Sequence, residues 1–317
     1  MTTKDFFTHP LGIAVSAAAA TLLWGSAFPF IKLSYISLDI KPEEMGEQML
    51  FAGYRFLLAG LLILFMFLLL KRNMKFRPET TKSLLKIGLF QTFLQYVLFY
   101  IGLSYSTGIQ GSIIAGTTSF FQILLAHFLY PDDRMSRLKV AGLMVGFTGV
   151  IFANWPNGDY EISFGIGEIL LMGAMMAGAY GNILAKQGSG KMEVIYLTAY
   201  QMILGSLGLI AIGAFSVGIA PFDFDLKSGL MLLYLAFLSA AGFILWNNVM
   251  KFNQVGKVSL YLFLVPVFGV ILSSILLDEL LHYFVIAGLI FVVVGIVLVN
   301  RPARKRKDRK STRLNSS

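Results

Sequence analysis

The chain has 317 residues, 56% of them hydrophobic and 14% charged, with a net charge of +9 and no cysteine. A mean hydropathy of +0.73 excludes a soluble particle, whose surface would need far more charged and polar side chains to cover it. Without Cys there are no disulfides, thiolate metal sites or Cys nucleophiles, and His9, His127 and His282 lack metal-ligand spacing, so neither a metal nor a cofactor is expected.

Apolar runs of about 18 to 25 residues, separated by turn residues or charges, predict ten transmembrane helices. They fall at 11–33, 49–70, 84–104, 109–130, 137–154, 165–185, 194–218, 229–249, 258–277 and 283–300. The fold class is an all-α polytopic membrane protein, and the connections are too short to hold a soluble domain. The first run has small residues at Ser16–Ala20, as a cleaved signal peptide would. Its single leading Lys4 beside Asp5 and its continuation through Trp24 to Ile31 argue for a span instead.

With the N-terminus inside, 18 basic residues from Lys4 to Lys307 fall on the cytoplasmic side and only Lys41 and Lys227 on the outer side. This asymmetry places both termini in the cytoplasm of an inner-membrane protein. The net charge therefore orients the chain and does not mark a nucleic-acid groove.

Taking the spans in order, Trp24 and Lys32 lie in the first and Arg55 in the second. A cation within a span is costly and is usually functional or paired. Lys32 and Arg55 either snorkel to the outer interface beside Glu43, Glu44 or Glu47, or form a cationic site for a carboxylate or phosphate. The third span carries a polar and aromatic stripe, Gln91, Gln95, Tyr96, Phe99 and Tyr100, expected to face a central cavity. Trp246, Asn247 and Asn248 in the eighth span offer matching amides, with Gln122, Tyr180 and Asn182 as further lining candidates. Each could equally be interhelical glue. Glu168 at the start of the sixth span reads as a helix-capping acid and His127 as a packed histidine, although either could relay protons. Gly142, Gly146 and Gly149, and Gly205 and Gly208, are spaced for close helix packing. No phosphate loop or nucleophile motif occurs, so no catalytic residue is assigned.

The halves resemble each other at a spacing of about 150 residues. Phe51–Gly60 (FAGYRFLLAG) aligns with Leu197–Ser206 (LTAYQMILGS), setting Arg55 opposite Gln201, and Val140–Asn154 aligns with Ile286–Asn300. Lys32 corresponds to Lys186, and Ser119 to Pro266. Five spans per half is an odd number, so the second half must be inverted, a plan that secondary transporters share, with the substrate between the halves. The predicted domains are residues 11–154, 165–300 and a basic tail, 301–317. Its last ten residues, DRKSTRLNSS, look like a translated sequencing adapter.

Trp24-Gly25-Ser26-Ala27-Phe28 followed by Lys32, then Tyr54-Arg55-Phe56, Ser112 to Phe121 leading into Tyr130-Pro131-Asp132-Asp133-Arg134, and Val265-Pro266-Val267-Phe268 leading into Leu277-Asp278-Glu279, resemble the EamA family of the drug/metabolite transporter superfamily. The resemblance runs from about residue 11 to 300. It implies ten helices in two inverted repeats and export or exchange of small metabolites by alternating access. Ser119 stands where that family usually has Pro, and Asp132-Asp133 where it has Gly-Glu, which argues against a helix break in the fourth span.

The expected function is secondary transport of a small polar or amphipathic metabolite, such as an amino acid or a related compound, more often outward. Its partners are that small molecule and the bilayer; a proton or counter-substrate could drive it, and a homodimer is one assembly it could form. The alternatives are a membrane enzyme acting on lipid or isoprenoid substrates, and a receptor or scaffold. An enzyme would gather acids or His at one face, whereas the loop acids divide between both.

Overall fold

The computed structural model describes residues 2–71, 74–153, 165–281 and 283–300. Asn154, His282 and the tail 301–317 lie outside the described residues. All regular structure among the described residues is helical.

A short α1 (Thr3–Thr8), capped reciprocally by Thr2 and Asp5, precedes α2 (Pro10–Ser37). α2 starts with Pro at its first turn and runs four residues beyond its predicted end. Its interior Pro29 is compatible with a membrane helix, where packed neighbours and local adjustments re-satisfy the freed backbone. Then come α3 (Met45–Leu69), α4 (Thr81–Gly88), a π-helical turn (Leu89–Leu94), α5 (Gln95–Ser104), α6 (Gly108–Ala115), α7 (Thr117–Leu129) and α8 (Arg137–Ala153). The second half holds α9 (Ile166–Gly188), α10 (Val194–Val217), α11 (Leu226–Phe252), α12 (Val255–Val258), α13 (Leu264–Leu277) and α14 (Tyr283–Asn300). The two acids that begin α9 and α11 act as caps: Glu168 accepts the Gly165 N–H, and Asp225 accepts the Ser228 N–H.

Eight helical stretches are long and apolar enough to cross a membrane, among them the composite helices Pro78–Ser104, Gly108–Leu129 and Val255–Leu277. α8 and α14 form where the sequence predicts the fifth and tenth spans.

In the fourth span the α-helical bonding is interrupted at Gly116, whose backbone stays in the right-handed helical region. α6 ends at Ala115 and α7 begins at Thr117; between them the Gly116 N–H bonds back to Ile113 O at 3.0 Å, and Ser119 N–H to Gly116 O at 3.1 Å, in tight i→i+3 turns. The interruption needs no Pro. The ninth span is irregular at the matching place, with a 3-10 stretch (Ser259–Phe263) between α12 and α13, followed by Pro266.

Helices pair in a regular scheme. α3 packs along α10 and α8 along α14; α2 packs on α11 and α13, and α9 on α5 and α7; α6 packs on α13. Glycines permit the closest crossings. A Cβ on Gly181 of α9 would lie 2.7 Å from the backbone of Gln91, and one on Gly205 would lie 2.6 Å from Thr92 Cβ, so the expected packing role of Gly205 holds.

Candidate functional site

Where α2, α3, α5, α7, α9, α11 and α13 converge they leave a small cavity of about 70 Å³. Its wall is mostly aromatic and aliphatic. Trp24, Phe28, Phe99 and Phe243 contribute rings, with Phe28 and Phe99 edge-on at 5.5 Å and Trp24 and Phe243 at 5.1 Å. Polar contributions come from Arg55, Gln95, Tyr96, Thr118 and Asn182. Of the residues predicted to line a cavity, Trp24, Arg55, Gln95, Tyr96, Phe99 and Asn182 do so. The sequence reading missed Phe28, Thr118, Met175 and Phe243, which an apolar helix face does not distinguish from lipid-facing neighbours.

Arg55 is 1% exposed and does not snorkel to the outer loop. Its Nε donates to Ser239 Oγ at 2.8 Å and to Leu235 O at 3.2 Å, and Nη1 donates to Tyr100 OH at 3.1 Å. The guanidinium also lies 4.9 Å from the Phe56 ring centre and 5.6 Å from that of Tyr96. Every one of these partners is neutral, and the one ion pair among the described residues is Lys139 with Asp133. Arg55 therefore brings an uncompensated charge to the cavity wall. Tyr100 lies behind Arg55, holding it, and does not line the space.

The polar stripe of the third span does not face one way. The π-helical turn inserts an extra residue per turn and divides it, sending Gln95, Tyr96 and Phe99 to the cavity and Gln91 into a buried amide network. Gln91 Nε2 donates to Asn182 Oδ1 at 2.8 Å and to Asn247 Oδ1 at 3.3 Å. Asn182 Nδ2 donates to Gln122 Oε1 at 2.9 Å, and Gln122 Nε2 to Ser259 Oγ at 2.6 Å. Asn247 Nδ2 closes on Thr198 Oγ1 at 3.1 Å. Gln91, Gln122 and Asn247 thus tie the two halves together, and only Asn182 touches both network and cavity.

Three other candidates are not among the cavity-lining residues. Tyr180 packs edge-on against Phe90 at 4.8 Å, Trp246 lies 5.7 Å from Trp24, and Asn248 bonds back to Ile244 O of its own helix. Lys32 is partly exposed in the body of α2 and is not among the cavity-lining residues. Glu168 is buried, accepting from Gly165 N and from Ser106 Oγ, and His127 Nδ1 accepts the Met135 N–H. Both titratable candidates are thus committed to local contacts.

In two places an acid that follows one interrupted helix caps the start of the other. Glu279, after α13, accepts the Gly108 and Ile109 N–H groups of α6 at 2.8 and 2.7 Å. Asp133, after α7, accepts the Gly256 N–H of α12 at 2.6 Å and the Lys139 ammonium at 2.7 Å. Lys186 also donates to Met250 O and Asn253 O, both at 2.6 Å, at the end of α11.

Comparison with known proteins places this architecture. A relative from Bacillus subtilis (strain 168), the uncharacterized transporter YvbV, is 31% identical over 300 residues, covering 93% of each chain. A probable amino-acid metabolite efflux pump of Escherichia coli (strain K12) is 24% identical, over 90% of this chain and 93% of its own. One crystal structure superposes with a TM-score of 0.71 over 92% of this chain and 97% of its own, at 15% identity, which shows a shared fold. The EamA-like transporter family matches residues 11–155 and 165–301. The chain is a multi-pass membrane protein and belongs to the EamA-like transporter family, within the drug/metabolite transporter superfamily.

Proposed function

We propose that this transporter is a secondary carrier that exports a small amphipathic metabolite bearing a carboxylate, by alternating access between two inverted five-helix halves. The observation that carries the reading is Arg55, a buried cation with only neutral partners on the wall of an aromatic cavity. An unpaired buried charge is expensive. An anionic group on the cargo would compensate it while the ring-lined wall took an apolar part.

The helix pairing supports two halves related by a pseudo-two-fold axis. Exchanging first-half for second-half helices turns the contact of α2 with α11 into that of α9 with α5, and the contact of α2 with α13 into that of α9 with α7; α3–α10 and α8–α14 map onto themselves. On this plan α8 and α14 complete ten spans. The Glu279 and Asp133 contacts become equivalent gates on opposite faces, Glu279 outside and Asp133 inside. The charge asymmetry of the loops supports cytoplasmic termini in an inner membrane, and the Escherichia coli relative's efflux role supports outward transport. Among the described residues the cavity wall carries no carboxylate or His, which favours exchange against a counter-substrate as the coupling. Relatives named as transporters fit transport without catalysis.

Counterflow in proteoliposomes, screened across amino acids and their methyl esters, tests this. Acids are expected to exchange and their neutral esters to lose most activity. Arg55→Gln should raise KM for the acid tenfold or more, consistent with loss of a charge-assisted contact of about 1.5–3 kcal/mol, with Arg55→Lys retaining part of it. Equal flux of acid and ester, or an unchanged KM in Arg55→Gln, would overturn the reading.

A further inference from the structure

Trp24 and Gln95 line the cavity, yet neither is held there by a hydrogen bond. The Trp24 Nε1–H is buried and meets no acceptor among the described residues, and the Gln95 amide has no hydrogen bond to any of them. Gln91, Gln122 and Asn182 differ, because the amide network consumes each of them.

Helix backbone holds the two side chains instead. A Cβ on Gly178 of α9 would lie 2.6 Å from Gln95 Cδ, 2.7 Å from Oε1 and 2.8 Å from Nε2, so the amide rests on the glycine. A Cβ on Gly242 of α11 would lie 2.8 Å from Trp24 Nε1 and 3.3 Å from Cδ1 and Cε2, so the indole rests on a glycine too. Real Cβ atoms do not come so close, and a methyl group at either glycine would displace the side chain above it. Phe243 and Trp246 also pack against the Trp24 ring, at 5.1 and 5.7 Å.

The two seats are equivalent on the proposed two-fold plan, which exchanges the α2–α11 contact for that of α9 with α5. Trp24 and Gly178 are separated by the same number of residues as Lys32 and Lys186. At one crossing α2 supplies the ring and its partner the glycine. At the other α9 supplies the glycine and its partner the amide.

We propose that Gly178 and Gly242 set the transporter's specificity, by seating the Gln95 amide and the Trp24 indole so that their uncommitted hydrogen-bonding groups bind a neutral polar group of the cargo, such as an amide or hydroxyl. This rests on the proposed binding of cargo in the central cavity and adds a second point of recognition to Arg55. Gln95 offers donors and an acceptor and Trp24 a donor, so neither asks for a charge. A site whose buried groups await a partner rejects an analogue that lacks it, because those groups then stay unpaired. In so small a cavity a displaced amide or indole takes the space the cargo would fill. The glycines act through Gln95 and Trp24 and are positioning residues.

The test is counterflow by the full-length protein with glutamine and norleucine, which are similar in size and differ in the side-chain amide, each also as its methyl ester. Wild type should have a KM for glutamine about tenfold below that for norleucine. Gln95→Ala should raise the glutamine KM about fivefold and leave the norleucine KM and both kcat values unchanged. Gly178→Ala should raise KM for both compounds, yet add nothing to Gln95→Ala in the double variant, since the amide it displaces is then gone. Gly229→Ala, whose Cβ would meet nothing within 4 Å, should change neither KM. In the isotope-labelled protein the Trp24 indole N–H resonance should move on addition of glutamine and not of norleucine, and Gly242→Ala should move it without ligand. A packing defect alone would lower Tm and make Gly178→Ala and Gln95→Ala additive. That additivity, equal KM for the two compounds in wild type, or a Trp24 resonance indifferent to glutamine would each overturn the proposal. Exchange of the methyl esters as fast as the acids would overturn the carboxylate reading and leave the Gly178–Gln95 cycle standing.

Discussion

Arg55 and Gln122 show how residue type and residue role separate. Both are polar residues within apolar helices, and each could have lined the cavity or joined helices. Arg55 reaches the cavity wall held by Ser239 and Tyr100, whereas Gln122 is consumed by Asn182 and Ser259. Gln122→Leu should therefore act on stability: it takes away the acceptor of the Asn182 amide and the donor to Ser259 Oγ, which keeps its own bond to Val255 O. Interhelical hydrogen bonds in membranes average about 0.6 kcal/mol, but buried groups left unpaired cost about 1–3 kcal/mol each. The expected loss is about 1–2 kcal/mol in detergent unfolding, with KM unchanged. A raised KM at wild-type stability would instead put Gln122 in the substrate path. The sequence showed that these side chains were unusual for a membrane span. It could not show which neighbour answers each, because every partner comes from another helix.

At the scale of elements, the informative places are where helices depart from regularity. Gly116 divides α6 from α7, and the 3-10 stretch Ser259–Phe263 divides α12 from α13. The flanking acids Glu279 and Asp133 then each bind the N-terminal amides of the opposite broken helix. A carboxylate at a helix N-terminus satisfies otherwise unpaired donors and the helix dipole together. On the proposed alternating-access cycle these contacts would be made on one face as they are released on the other. Glu279→Ala and Asp133→Ala should shift the conformational balance in opposite directions. With Ala115→Cys as a reporter on the cavity wall, Glu279→Ala should speed labelling by an impermeant maleimide from outside, and Asp133→Ala from inside. If each contact is worth about 1.5 kcal/mol, the change is roughly tenfold. Parallel effects of the two variants would remove them as opposed gates. The interruption itself was not legible from Ser119, since the expectation rested on a missing Pro. Gly116 makes the turn through local backbone bonds instead.

For the whole molecule, the absence of native cysteine makes the orientation directly measurable. Lys227→Cys should react with impermeant maleimide on intact cells, and Lys257→Cys only after the membrane is opened. The reverse pattern would invert the proposed topology and exchange the faces assigned to Glu279 and Asp133. The pairing of α3 with α10 and α8 with α14 brings together segments some 150 residues apart. The aligned stretches Phe51–Gly60 and Leu197–Ser206 prefigure part of that pairing, since they lie on α3 and α10, which pack together.

The sequence alone determined that the chain lives in a bilayer, where its helices lie and that its family is one of transporters. Those properties follow from local apolar runs and short contiguous motifs, and an apolar run of sufficient length needs no partner to become a helix in lipid. Only the tertiary structure decided that Arg55 meets Ser239 and Tyr100, and that the π-helical turn sends Gln91 and Gln95 to different environments. These depend on packing between distant segments, and a one-residue change in helix phase redirects a side chain by about 100°. Arg55 is a basic residue turned toward the cavity, and no count of basic residues separates it from the loop cations on which the proposed orientation rests.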